Sequence, residues 1–171
     1  IHRDTILYER YFGEWSKSTQ SQIFSVSKTI TAMLCGVALT EGHIRSVEDR
    51  VTDYIPELKQ ADPMFEELKI KHLLDMTAGL DFDENYSFNP FSKMAKLYMG
   101  RNTMRIIEQA KFSHNPGERY DYNSLTTAIL GVVIERATGI PYAEYLSSKI
   151  WQPLGMEQSA SIGVDDKKHR V

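Results

Sequence analysis

Residues 25–42 read SVSKTITAMLCGVALTEG, which puts Val26, Ile30, Met33, Leu34 and Val37 at the three- and four-residue spacing of a helix. Gly42 falls where a left-handed residue ends such a helix, so the stretch predicts one long, mostly buried helix from Ser25 to Glu41. Upstream, Ile6, Leu7, Tyr8, Tyr11 and Phe12 make a β-branched and aromatic run closed by Gly13, which predicts a strand. A lone strand leaves its backbone N–H and C=O groups unpaired, and the rest of the chain offers almost no second strand. The expectation is therefore that the chain is part of a longer protein.

Downstream the pattern is helical. Ser46 to Asp49 has the form of a capping box with Asp in the Glu position, and Ile55-Pro56 ends the short segment after it. Residues 70–77 predict a helix stopped at Gly79. Residues 81–91 are rich in Asp, Asn, Ser and Pro and predict a long loop, followed by short helices over 92–99 and 103–110. After the turn at Asn115-Pro116-Gly117, Leu125, Ile129, Leu130, Val133, Ile134 and Ala137 define a second long helix that stops at Gly139. Pro141 suits the first position of a last helix through Tyr145, Leu146 and Ile150.

At 171 residues the chain matches one globular domain, and 42% hydrophobic with 25% charged residues excludes disorder as its main state. Twenty Lys and Arg against 23 Asp and Glu, with no basic stripe, make nucleic acid an unsuitable partner. The longest apolar stretches, such as 129–134, are too short to span a bilayer, which takes about 20 residues. Cys35 is the single cysteine and excludes an internal disulfide.

Chemistry centres on the start of the first long helix. Ser25 and Lys28 are three residues apart and share a helix face, so the amine can reach the hydroxyl as a base reaches a nucleophile. Unpaired N–H groups at the helix N-terminus favour the oxyanion of a tetrahedral intermediate, and the Ser25 N–H is the natural first donor. A lysine that accepts a proton near neutral pH has to be buried and crowded. Alternatively, a charged Lys28 stabilises a neighbouring phenolate that takes the serine proton, and Tyr122, just before the second long helix, is the candidate phenol. Ser124, two residues on, can bond Lys28 or a substrate carbonyl. Each residue also fits a plain structural role: Ser25 and Ser124 as helix N-caps, Tyr122 as a half-buried packing residue.

The surrounding blocks favour the chemical role. Phe24-Ser25-Val26-Ser27-Lys28-Thr29, Tyr54-Ile55-Pro56-Glu57, Leu73-Leu74-Asp75-Met76-Thr77-Ala78-Gly79-Leu80, Pro116-Gly117-Glu118-Arg119-Tyr120-Asp121-Tyr122-Asn123-Ser124 and Pro153-Leu154-Gly155-Met156 resemble the serine β-lactamase-like family. That family includes class C β-lactamases, penicillin-binding D-alanyl-D-alanine carboxypeptidases, esterases and 6-aminohexanoate-dimer hydrolases. The blocks at 75–77, 81–86 and 151–156 look most like the last branch.

The resemblance implies an α/β (α+β) fold of β-lactamase/transpeptidase type, here a single domain over 1–171. Residues 1–24 would contribute to its antiparallel sheet and residues 25–171 would form its helical region. It implies an acyl-enzyme on Ser25, with Lys28 as activating partner, Tyr122 as general base and acid, and Ser124 on the substrate. It implies a small-molecule amide, ester or peptide substrate, no cofactor, and a bacterial, extracytoplasmic setting. In β-lactamases the Tyr-x-Asn motif ends in Asn where this sequence has Ser124, which argues against lactam turnover. The family's third element, a Lys-Thr-Gly-like triplet with the second oxyanion donor, does not occur before Val171. A non-catalytic binding or assembly module on the same fold is the reading from another class.

Other patterns are set aside. Asp81, Asp83 and Asn85 mimic a calcium loop, but Tyr86 stands where Gly is required and Ser92 where Glu is required. The five histidines lack paired ligand spacing, so no metal is expected, and there is no G-x-S-x-G elbow. Cys35 reads as a buried inert thiol, and Tyr86, Phe88 and Phe91 as loop side chains able to border a substrate.

Overall fold

The computed structural model describes residues 1–84, 89 and 92–166. In chain order it contains α1 (Val26–Thr40), α2 (Leu58–Ala61), α3 (Ile70–Leu74), α4 (Lys93–Met99), α5 (Thr103–Glu108), α6 (Ser124–Thr138) and α7 (Tyr142–Leu146). Short 3-10 turns at Val51–Asp53 and Pro63–Glu66 and a π-helical turn at Ser147–Trp151 complete the elements.

α6 is the centre of the domain. Its first eleven residues carry apolar or small uncharged side chains on every side, and all from Ser124 to Ile134 are buried, so α1, α3, α5 and α7 all pack onto it. Burial of each of its Leu, Ile and Val side chains contributes roughly 1.5–3 kcal/mol relative to exposure. Thr126, buried on the same helix, returns its hydroxyl to the Asn123 carbonyl at 2.5 Å, so no polar cost remains there. Between α1 and α7, the Thr31 and Tyr142 hydroxyls pair at 2.8 Å inside the core.

Both long helices end on glycine for a local reason. Gly42 takes φ +77°, which lets its N–H reach the Leu39 carbonyl and the His43 N–H reach the Ala38 carbonyl, closing α1. Gly139 does the same for α6 at φ +69°. α3 departs from expectation: Met76 adopts φ +56° and ends the helix at Leu74, three residues before the expected end. Gly79, also left-handed at φ +76°, serves another purpose. A Cβ at Gly79 would lie 2.3 Å from the His114 carbonyl oxygen, so the glycine admits the close approach of two chain segments.

Those segments form an irregular ribbon. Asp121 N–H donates to the Met76 carbonyl at 2.8 Å, Gly117 N–H to Thr77 at 2.7 Å, Ser113 N–H to Gly79 at 2.8 Å and Asp81 N–H to Lys111 at 2.7 Å. Leu80 and Phe112 form an isolated antiparallel bridge within it.

The strand expected at residues 6–12 does not form. Ile6, Leu7, Tyr8 and Phe12 are 65–73% exposed, and the described residues contain isolated bridges only, so the run has no partner with which to close a ladder. The helical region follows the sequence more closely. Ser92 and Asn102 cap α4 and α5 by accepting from Ala95 and Arg105 N–H groups, and Pro141 stands one position ahead of α7 as its N-cap. The capping pattern at Ser46 starts a turn in which Asp49 accepts from the Ser46 N–H at 3.3 Å. Tyr86, Phe88, Phe91 and Asn85 lie outside the described residues.

Candidate active site

The entry to α1 is tightly wound. Phe24 takes a left-handed φ of +45°, after which Val26, Ser27 and Lys28 N–H groups donate three residues back to Ile23, Phe24 and Ser25 carbonyls. For a side chain that conformation costs on the order of 1–2 kcal/mol. Ser25 itself has helical dihedrals, φ −67° and ψ −10°, and its side chain makes no capping bond. The simple N-cap role is therefore not the one it plays. Its hydroxyl is solvent-accessible and is held by two groups from different parts of the chain.

The first is Lys28, one turn along, whose Nζ donates to Ser25 Oγ at 3.1 Å. The second is Tyr122, 97 residues away, whose hydroxyl donates to the same oxygen at 2.6 Å. Lys28 Nζ also lies 5.1 Å from the Tyr122 ring centroid, so the cation sits beside the phenol it would stabilise as a phenolate. Lys28 is half-buried rather than buried, and Tyr122 is 36% exposed, so the three groups line an open surface that a substrate can reach.

Tyr122 is aimed by its neighbours on both sides. Before it, Asp121 is fixed to Met76 through the ribbon. After it, Asn123 is 2% exposed and uses both ends of its amide: Oδ1 accepts from the Leu125 N–H at 2.9 Å, capping α6, and Nδ2 donates to the Leu80 carbonyl at 3.1 Å. Asn123, not Ser124, is thus the N-cap. Asn just before a long apolar helix is an available cap signal, but its second bond, to Leu80, comes from a contact 43 residues away.

Ser124 is the first residue of α6, 4% exposed, and its hydroxyl donates to Glu84 Oε2 at 3.1 Å while its backbone N–H donates to Glu84 Oε1. It makes no hydrogen bond to Lys28. Because a hydroxyl carries one proton, Ser124 cannot donate to a substrate carbonyl while this bond stands. Glu84 is the neighbour of this site that the sequence pattern does not mark; only its charge, suited to a helix N-terminus, is a signal for it.

The set-aside groups lie elsewhere. His72 Nδ1 accepts from the Lys69 N–H at 3.3 Å and its ring lies beneath Gly117, where burial lowers its pKa. Cys35 is fully buried in the core, which pushes its thiol up to about 11. Among the described residues no three His, Cys, Asp or Glu side chains form a group that could hold a metal ion, and no helix is long and apolar enough to cross a membrane. A cavity of about 620 Å³, lined by His43, Arg45, Thr52, Tyr54 and Lys59 among others, sits beyond the far end of α1 from Ser25.

This fold and this trio define a class, and the chain's relatives agree with it: the Beta-lactamase family model matches residues 1–171, and the chain belongs to that family. Within it, the sequence is 28% identical over 171 residues to the 6-aminohexanoate-dimer hydrolase of Paenarthrobacter ureafaciens, covering 94% of this chain and 42% of that protein. A Bacillus anthracis structure provisionally assigned as a 6-aminohexanoate-dimer hydrolase superposes with a TM-score of 0.85 at 26% identity, over 99% of this chain and 47% of that one. The penicillin-binding protein of Bacillus halodurans shares the fold with a TM-score of 0.63 at 24% identity, over 81% and 42% of the two chains. The chain spans less than half the length of these relatives.

Proposed function

We propose that the protein is a serine hydrolase that cleaves an amide or ester bond of a small molecule through a covalent acyl-enzyme on Ser25. The observation that supports this reading is the convergence of Lys28 Nζ and the Tyr122 hydroxyl on one solvent-accessible serine oxygen, at 3.1 and 2.6 Å. In the reaction, Tyr122 as phenolate, beside the Lys28 ammonium, takes the Ser25 proton while Oγ attacks the carbonyl carbon. The tetrahedral intermediate's oxyanion is met by the Ser25 N–H at the start of α1. Collapse breaks the bond to the leaving amine or alcohol, which receives its proton from Tyr122. Water then repeats the sequence: Tyr122 takes its proton, the hydroxide adds to the acyl carbon, and Ser25 Oγ leaves with the proton returned.

Among substrates we rank an ester or short amide above a D,D-carboxypeptidase peptide, and that above a β-lactam, because Ser124 stands where β-lactamases have Asn. We further infer that residues 1–24 belong to the sheet side of the domain and 25–171 to its helical region. The exposed run at 6–12 and the greater length of the relatives favour that division.

The test is covalent labelling of the intact gene product with a fluorophosphonate, read by mass spectrometry. One label on the wild type and none on Ser25→Ala is expected; equal labelling of both would refute the assignment. Nitrocefin turned over rapidly would overturn the substrate ranking. A protein that takes no label and hydrolyses no ester would favour the binding-module reading, on the same fold without the chemistry.

A further inference from the structure

We infer that Glu84 is a positioning residue of this site, holding Tyr122 against Ser25 through Ser124; the inference rests on the acyl-enzyme reading above. Among the described residues the Tyr122 hydroxyl makes one hydrogen bond, to Ser25, so its aim depends on how firmly the flanking backbone is held. On the N-terminal side that hold is the Asp121–Met76 bond. On the C-terminal side it is the first turn of α6, where two side chains divide the exposed N–H groups. Asn123 takes Leu125, and Glu84 takes Ser124. Glu84 comes from 40 residues earlier, three residues past the ribbon segment 76–81, so its carboxylate ties that segment to the helix a second time. A carboxylate at the N-terminus of a 15-residue helix also meets the positive end of the backbone dipole.

The second half of the contact sets a polarity. Glu84 Oε2 takes the only hydroxyl proton of Ser124, which leaves that oxygen with lone pairs alone. Ser124 is thereby fixed as an acceptor, suited to an N–H donor and unsuited to a carbonyl. Glutamine at this position separates the two effects. Its carbonyl still accepts the Ser124 N–H, but its NH₂ donates to Ser124 Oγ, so the hydroxyl proton is released in the opposite sense. Alanine removes both contacts.

The experiment uses the intact gene product and two readouts. In the first, the rate of fluorophosphonate labelling is measured per folded molecule for wild type, Glu84→Gln, Glu84→Ala, Ser124→Ala and the Glu84→Gln/Ser124→Ala double variant. Glu84→Ala is expected to slow labelling about tenfold or more, as small displacements of a reacting group do. Glu84→Gln is expected to slow it less and to have no further effect once Ser124 is alanine. In the second, hydrogen exchange of the Ser124 backbone amide is followed at constant pH. It should be protected in the wild type and in Glu84→Gln, whose side chains both accept that N–H, and exchange faster in Glu84→Ala. Unchanged labelling rates in both Glu84 variants, or a Ser124 amide that exchanges as fast in the wild type as in Glu84→Ala, would overturn the inference. An effect of Glu84→Gln that persists undiminished beside Ser124→Ala would overturn the route through Ser124. A wild type that takes no label removes the acyl-enzyme reading instead, and the amide exchange then still decides whether the Glu84 contact exists. Should Glu84→Ala fold poorly, the labelling rate of Glu84→Gln with and without Ser124→Ala still tests the route through Ser124.

Discussion

Replacing Gly79 by alanine should cost far more than the same change at Gly139, although both residues are left-handed, at φ +76° and +69°. At Gly139 a Cβ would meet nothing within 4 Å, so the penalty is that of a left-handed alanine, about 1–2 kcal/mol. At Gly79 the Cβ would stand 2.3 Å from the His114 carbonyl oxygen and 3.1 Å from its carbon, both backbone atoms that cannot rotate aside. Relief requires the two ribbon segments to part by roughly 1 Å, the shortfall from an ordinary carbon–oxygen contact of about 3.3–3.6 Å. That movement weakens the bonds that Ser113 and Asp81 N–H groups make across the ribbon, at 2.8 and 2.7 Å. With each worth about 1 kcal/mol net, the total reaches about 3–4 kcal/mol. For a domain of this size that is a fall in Tm of about 6–16 °C, against about 2–8 °C for Gly139→Ala. Differential scanning calorimetry of the two variants measures the difference. The ribbon also carries Asp121, next to Tyr122, so Gly79→Ala should slow fluorophosphonate labelling while Gly139→Ala leaves it alone. Equal melting temperatures for the two variants would refute the claim that close backbone approach is what requires glycine at position 79.

Tyr122→Phe, which keeps the ring and removes the proton carrier, should lower hydrolysis of a p-nitrophenyl ester by about 10²–10⁴-fold with little change in Tm. Thr31→Val should destabilise by about 1–2 kcal/mol in urea titration, because it removes the hydroxyl paired with Tyr142 in the core. Cys35, with its thiol pushed up to about 11 by burial, should resist iodoacetamide at pH 8 in the native protein and react promptly in denaturant. Glu41 accepts from Lys149 at 2.6 Å and from the Tyr145 hydroxyl at 2.8 Å, which hold its carboxyl below the ordinary glutamate range. The depressed value means the folded state keeps Glu41 ionised longer than the unfolded state does. Its contribution is present above the ordinary glutamate value and is lost as pH falls through the lowered one. Glu41→Gln should therefore flatten that part of the acid-denaturation profile, and an unchanged profile would contradict the assignment.

The long helices are legible because their information is local: α1 and α6 each carry a sustained run of apolar residues and a left-handed glycine just past the C-terminus. What failed depended on a partner elsewhere in space. Residues 6–12 have strand composition, but a strand exists only where another chain segment accepts its hydrogen bonds. For α3 the pattern predicts a helix as far as Thr77, on the rule that a glycine, here Gly79, ends helices. Met76 takes the left-handed position first, which places its carbonyl for Asp121. The meeting of Ser25, Lys28 and Tyr122 follows from one helical spacing and one loop-to-helix junction. Asn123 and Glu84 were missed because their work is done on Leu80 and Ser124, across 40 residues or more of sequence. Ser124, expected on the substrate or on Lys28, gives its proton to Glu84 instead.

The separation of 97 residues between the serine and the phenol that holds it has a consequence during synthesis. At ribosomal speeds of about 5–20 residues per second, the nascent chain carries its alcohol for roughly 5–20 s before the tyrosine is added. The tyrosine then precedes the helix that seats it. The contact between Tyr122 and Ser25 cannot form until α6 has left the exit tunnel and docked, so under the proposed mechanism an emerging polypeptide would be harmless to esters and amides around it.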